Sequence, residues 1–120
     1  AAAHAGTDPD RLLSLSEKDA RKILKEGNPF TGGLARMLLA GVEAMRQRPE
    51  EAVVQLRGAI TDFTGAGMPM HVAVSRMRLG ALVGGDEGAR LSGEADAWMQ
   101  LEGVVDTPRF ADMLAPGFDR

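Results

Sequence analysis

Leu34 to Met45 reads LARMLLAGVEAM, and the spacing within it decides the fold. Leu34, Met37, Leu38, Gly41, Val42 and Met45 return at alternating steps of three and four, the repeat that places side chains on one face of an α-helix. The stretch therefore predicts a helix over about residues 31–47 with those six residues as its buried face.

Working toward the C-terminus, the pattern breaks after Arg46-Gln47-Arg48 at Pro49. The fixed φ of proline suits the first turn of a new helix, and Glu50 and Glu51 follow at its positive dipole end. Ala52, Val53, Leu56, Ala59, Ile60 and Phe63 form the buried stripe of that helix, which Gly65-Ala66-Gly67 ends. Met68-Pro69 opens a fourth helix reaching about Val83, with Val74, Met77 and Ala81 on one face and Ala73 and Gly80 as small neighbours. Gly84-Gly85 stops it. Asp86 serves as the expected cap of a fifth helix to about Glu102, which carries Leu91, Ala95, Trp98 and Met99 and has Gly103 as its terminating residue. Thr107-Pro108 starts a short last helix through Met113-Leu114, closed by Pro116-Gly117.

Toward the N-terminus, Ser16 before Glu17-Lys18-Asp19 is read as a helix cap, and Gly27-Asn28-Pro29 as the stop, giving a helix of about residues 17–26. Residues 1–10 are small and polar with a turn signal at Asp8-Pro9-Asp10 and are expected to be a flexible linker. Residues 11–120 then form a single helical repeat-like domain. The opening Ala1-Ala2-Ala3-His4-Ala5-Gly6 has neither an initiator methionine nor a basic leader, so the chain reads as part of a longer polypeptide without a signal peptide.

Composition narrows the function classes. The chain has 120 residues, enough for one core without staples, and no cysteine, which removes disulfides, thiolate metal sites and cysteine nucleophiles together. Aromatic residues make up only 4%, so Leu, Val, Ala and the seven Met must fill the core, which favours helices over sheets. No apolar run approaches the roughly 18 residues of a membrane span, and the reducing cytoplasm is taken as the default location. The net charge of −3 is uneven, with 8 acidic against 3 basic side chains in residues 86–120. Such an end is the reverse of the clustered Lys and Arg of a nucleic-acid footprint.

Every expected connection is short, so consecutive helices should be antiparallel neighbours. Helix starts near 31, 50, 69 and 86 give a two-helix unit of roughly 36–38 residues, close to the roughly 34 of a tetratricopeptide repeat. Ala52, Leu56 and Ala59 match the small-large-small spacing of that repeat's second helix, and Leu79-Gly80 the Leu-Gly pair of its first. The expected fold is all-α: antiparallel helical hairpins stacked as a degenerate tetratricopeptide-like repeat of about six helices.

The order of five stretches carries a family resemblance. They are Ala-Gly-Met-Pro at Ala66 to Pro69, Arg-Met-Arg-Leu-Gly at Arg76 to Gly80, Gly-Gly-Asp-Glu-Gly at Gly84 to Gly88, Glu-Ala-Asp-Ala-Trp-Met at Glu94 to Met99 and Met-Leu-Ala-Pro-Gly-Phe at Met113 to Phe118. From Ala52 to Phe118 the chain resembles the C-terminal tetratricopeptide-like region of multidomain serine/threonine protein kinases from myxobacteria. The resemblance implies a helical-repeat tail downstream of a kinase domain or an ATPase-like module. It brings no catalytic residue, since the chain has no glycine-rich phosphate loop, no His-Arg-Asp loop and no Asp-Phe-Gly motif.

Other chemistry-bearing patterns reduce to local structure. Gly84-Gly85-Asp86-Glu87-Gly88 matches the letters of a diguanylate cyclase signature, but helical segments flank it, and a helix end followed by a cap explains the glycines and the acid. No Lys-Ser or Lys-Thr follows to make a phosphate loop. His4 and His71 have no ligand partner at helical spacing, and Ser14, Ser16, Ser75 and Ser92 lie in no nucleophile elbow. Glu50-Glu51 and Glu94 with Asp96 read as exposed acids near helix starts. No catalytic, cofactor or metal site is expected.

What remains is binding. Met68, Met70, Met77, Met37 and Met45 read as core filling, with an adaptable peptide groove as the sharper alternative. Arg76, Arg78 and Trp98 are the candidate partner-binding residues, and Arg36, Arg46 and Arg48 are expected nearby to receive an acidic peptide or carboxylate terminus. The expected function is a non-catalytic protein-interaction or regulatory module at the C-terminal part of a larger bacterial signalling protein. Its partner is a protein, a peptide or another domain of its own chain. The alternatives are a structural helical dimerisation element and a small helical ligand-binding or enzymatic bundle.

Overall fold

A computed structural model describes residues 9–103 and 107–114. Every element among them is a helix, and no strand is present: α1 Pro9–Leu24, α2 Pro29–Met45, α3 Pro49–Gly65, α4 Pro69–Val83, α5 Gly85–Leu101 and the short α6 Thr107–Leu114. Each of α1 to α4 packs on its successor, and α6 touches α4 and α5. The expected stop at Pro116-Gly117 lies outside the described residues.

The helix starts follow from proline. Pro29, Pro49 and Pro69 each occupy the first turn, where the missing N–H is no loss. Asn28 adds a side-chain cap at α2, its Oδ1 accepting from the backbone N–H of Phe30 at 2.9 Å. Gly27-Asn28-Pro29 is therefore both the stop of one helix and the start of the next, which is why α2 begins at Pro29 and not near residue 31. At the first helix the expectation fails. Ser16 lies inside α1, which already runs from Pro9 with Asp10 in its first turn; Pro at the first helical position outweighs the weaker serine signal. Pro9 and Asp10 thus belong to a helix, and the rest of the expected linker, with His4, lies outside the described residues.

The helix ends share one device. After α3, Met68 N–H bonds the Phe63 carbonyl at 2.9 Å and Gly67 N–H the Thr64 carbonyl at 3.2 Å, with Gly67 at φ +69°. After α2, Arg48 N–H bonds the Glu43 carbonyl at 2.8 Å and Gln47 N–H the Ala44 carbonyl at 3.0 Å. Both are Schellman turns with a left-handed residue past the cap, but the second places Gln47 there at φ +60°. Between α4 and α5 the connection shrinks to Gly84, and the left-handed φ of Gly84 and Gly85 reverses the chain at once. Asp86 accordingly sits in the first turn of α5, not at its cap, where Gly84 offers no side chain.

The main core gathers Met37, Ala59, Phe63, Val72, Ala73, Val74, Ala95, Met99 and Ala111 from α2 to α6. A second cluster of Ala40, Leu56 and Leu79 joins α2, α3 and α4, and a third of Ala20, Ala35 and Leu39 fixes α1 to α2. The stripe expected for α3 is buried as read, with Ala52, Leu56, Ala59 and Phe63 closed and Val53 and Ile60 half-buried. The stripe expected for α2 is only partly so. Met37, Gly41 and Val42 are buried, but Leu34, Leu38 and Met45 face outward, because α1 and α3 cover the two flanks that carry Ala35 and Leu39 on one side and Gly33 and Ala40 on the other. On α4, Ala81 is exposed while Ser75 and Arg78 are buried.

Candidate functional site

The turn from α3 into α4, one flank of α4 and the middle of α5 border an open cavity of about 410 Å³. Thr64, Gly67, Met68 and Pro69 form one end. Val72, Ala73 and Arg76 come from α4, and Glu94, Ala95 and Trp98 from α5. Val72, Ala73 and Arg76 recur at steps of one and three, and Glu94, Ala95 and Trp98 repeat that spacing, so each helix lends one narrow strip to the groove. Small residues at Ala73 and Ala95 keep the floor deep, and the half-buried Trp98 and Met68 make apolar walls.

Two charges stand at this groove, and their situations differ. Glu94 Oε1 accepts from Arg90 at 3.3 Å along α5. Arg76 is exposed and forms no ion pair or side-chain hydrogen bond with the described residues. The groove thus combines an apolar floor, an aromatic wall and a guanidinium open to a ligand, which suits an apolar side chain adjoining a carboxylate.

Of the three residues singled out from sequence, the structure brings Arg76 and Trp98 to this one groove. Arg78 does not join them. It is two positions along the helix, turned about 200° from Arg76, and buried to 4% exposure, where it makes a contact of its own. The neighbouring arginines are also committed elsewhere. Arg36 Nε donates to Asp62 at 3.0 Å and Nη1 to Gln55 at 3.4 Å. Arg46 Nη1 donates to Glu17 at 2.8 Å and lies 3.5 Å from Glu43, and Arg48 is 3.7 Å from the same Glu43 carboxylate. Sequence reasoning missed Val72 and Glu94 as lining residues, whereas Met68, read as core filling with a peptide groove as the alternative, lines this groove and also packs against the main core.

His71 forms a second polar feature within apolar surroundings. Its ring centroid lies 5.0 Å from that of Phe63 and 6.2 Å from that of Phe30, the latter ring nearly perpendicular. Its Nδ1 is buried with no hydrogen-bond partner among the described residues. Burial pushes the imidazole below its usual range, favouring the neutral ring. Ser75 Oγ donates to the His71 backbone carbonyl at 2.8 Å, one helical turn back, and Ser14 Oγ accepts from Arg46 Nη2 at 3.3 Å. These are structural bonds, and no base among the described residues is hydrogen-bonded to either hydroxyl. Asp96 accepts from Gln100 Nε2 at 2.9 Å. Among the described residues no group of three acids and histidines could hold a metal ion, and no helix is long and apolar enough to cross a membrane.

The Gly84 to Gly88 stretch is absorbed by packing. Gly88 is buried against Gly80 of α4, and a Cβ on Gly80 would stand 2.6 Å from the Gly88 carbonyl oxygen and collide with Ser92 Oγ. Asp86 and Glu87 are exposed in the first turn, where the helix dipole favours acids.

Compared with known proteins, the chain matches no family model, no curated protein and no solved structure.

Proposed function

We propose that this chain is a non-catalytic interaction module whose α4–α5 groove receives a peptide segment carrying a large apolar residue next to a carboxylate. The observation that supports the reading is the exposed Arg76, without an ion pair among the described residues, beside Trp98 over the apolar floor of Val72, Ala73 and Ala95. Burying an apolar anchor supplies affinity, and the guanidinium selects the charge and sets the register. The ligand is a cytoplasmic protein or another domain of the same polypeptide, with no cofactor and no nucleic acid taking part.

The same reading extends to the repeat and to the parent chain. Hairpins α2–α3 and α4–α5 correspond to two degenerate tetratricopeptide-like units, supported by the buried Ala52, Leu56 and Ala59 and by the approach of Phe30 to His71 at the starts of alternate helices. The parent is a bacterial signalling protein of the serine/threonine kinase type. The support for that step is the series of stretches from Ala66 to Phe118 alone.

Trp98 is the sole tryptophan, so its emission reports directly on the groove. The test titrates the chain with short peptides containing Leu-Asp or Phe-Glu and with counterparts carrying Lys for the acid. A saturable shift with the acidic peptides, weakened about tenfold or more in Arg76→Glu, is the expected outcome. Equal response to both charge types, or no response to either, would overturn the reading.

A further inference from the structure

The walls of the α4–α5 groove differ in charge. Helix α4 carries Arg76 and Arg78 and no acid, whereas α5 carries Asp86, Glu87, Glu94 and Asp96 against Arg90 alone. At the groove itself the contrast comes down to two exposed side chains, Arg76 on the α4 wall and Glu94 on the α5 wall. These opposite charges line one cavity without pairing with each other. Glu94 is bonded to Arg90 of its own helix, and Arg76 forms no ion pair with the described residues.

Glu94 is only loosely held. Its bond from Arg90 is 3.3 Å long, and both side chains are more than half exposed. A pair of this kind on a helix surface adds little, so a ligand cation can take its place. The walls also keep their separation, because α4 and α5 are already in backbone contact at Gly80 and Gly88.

We infer that the groove reads charge on both sides of its apolar anchor: the bound segment carries an acid against Arg76 and a base, Lys or Arg, against Glu94. The inference rests on the groove being the binding site proposed above, and it adds Glu94 as a second specificity-determining residue. The spans agree. Packed helices have axes about 8–10 Å apart. In an extended segment the two residues flanking the anchor stand about 7 Å apart, and their side chains cover the remaining distance. With the anchor over Val72, Ala73 and Ala95 beside Trp98, one flanking residue stands over each wall. The reversed placement sets acid against Glu94 and base against Arg76, and like charges repel at both ends. A segment with acids on both sides meets repulsion at Glu94. The groove therefore selects a segment whose flanking charges cancel over a generally acidic one.

The test follows Trp98 emission during titration with four peptides, Lys-Leu-Asp, Ala-Leu-Asp, Asp-Leu-Lys and Asp-Leu-Ala. Their ends are acetylated and amidated, and the two orders sample both chain directions. In the direction that binds more tightly, Lys should bind about threefold or more tighter than Ala. Glu94→Gln should erase that advantage, and Glu94→Lys should turn it into a preference for Ala over Lys. Both variants should keep the wild-type circular dichroism, because Glu94 is exposed. Arg90→Gln, which removes the competing partner, should enlarge the advantage of Lys. Equal affinity for the Lys and Ala peptides in both directions, or an advantage that survives Glu94→Gln, would overturn the inference. The groove reading still stands in that case if the Ala peptides bind and weaken in Arg76→Glu, whereas binding of no peptide overturns both.

Discussion

The two helical hairpins reach close packing by different means. In α2–α3 each glycine at the contact makes room for a side chain: a Cβ on Gly33 would stand 2.6 Å from the Phe63 ring, and one on Gly58 would stand 2.8 Å from Arg36 Cδ. In α4–α5 the glycines meet backbone, and a Cβ on Gly88 would strike the Gly80 carbonyl oxygen. A side chain can rotate away from an intruding methyl group, whereas a helix backbone moves only as a body. The α2–α3 spacing is therefore adjustable and the α4–α5 spacing is fixed. That rigidity has a consequence for the groove, because Arg76 and Trp98 stand on the two helices whose separation Gly80 and Gly88 set.

Removing the ring that fills the first hairpin should give the largest effect. Phe63→Ala is expected to cost about 3–5 kcal/mol in urea unfolding, since the ring is fully buried among α2, α3 and α4. Next comes the backbone crossing. Gly88→Ala should cost about 2–3 kcal/mol with no relief from trimming any side chain, whereas the loss from Gly33→Ala should shrink when Phe63 is replaced by Leu. A double-mutant cycle showing equal relief at both glycines would erase the contrast between the hairpins.

Arg36→Ala should cost about 1 kcal/mol, losing both the Asp62 bond and the stem that lies across Gly58. The turns offer a gain in the opposite direction. Gln47→Gly is expected to stabilise the chain by about 0.5–1 kcal/mol, because a side chain is strained at φ +60°. The comparable turn after α3 already has Gly67, so Gly67→Gln should lose a similar amount.

The smallest effect belongs to pH. The folded pKa of His71 is depressed below 6.5 by burial, so below that value the unfolded chain binds the proton first. Stability should be unaffected by this group above pH 6.5, fall as the pH drops below it, and level off below the folded pKa. His71→Phe should remove that component of the pH profile, and an unchanged slope would show that the imidazole is not the group responsible. Glu17 acts at lower pH: its hydrogen bond from Arg46, then that from Arg21, holds its carboxyl below the usual range. Its contribution is present above pH 4.5 and is lost as the pH falls through its lowered pKa.

The sequence by itself determined where most helices lie and how they follow one another. Proline at 29, 49 and 69 and the glycines at 27, 67 and 84 act within a turn of their own position, so local chemistry suffices to read them. It also determined the buried stripe of α3, whose large residues point into the main core and the cluster beside it. What only the tertiary structure decided is which face of α2 is covered, where Arg78 goes, and that Arg76, Trp98 and Glu94 meet in one groove. The physical reason is that burial depends on what approaches. Helices come closest at Gly33, Ala35, Ala40, Gly80 and Gly88, where side chains are small and hydrophobic periodicity is weakest. A pattern of large apolar residues therefore marks a face that seeks a partner, without saying whether the partner is in the same chain.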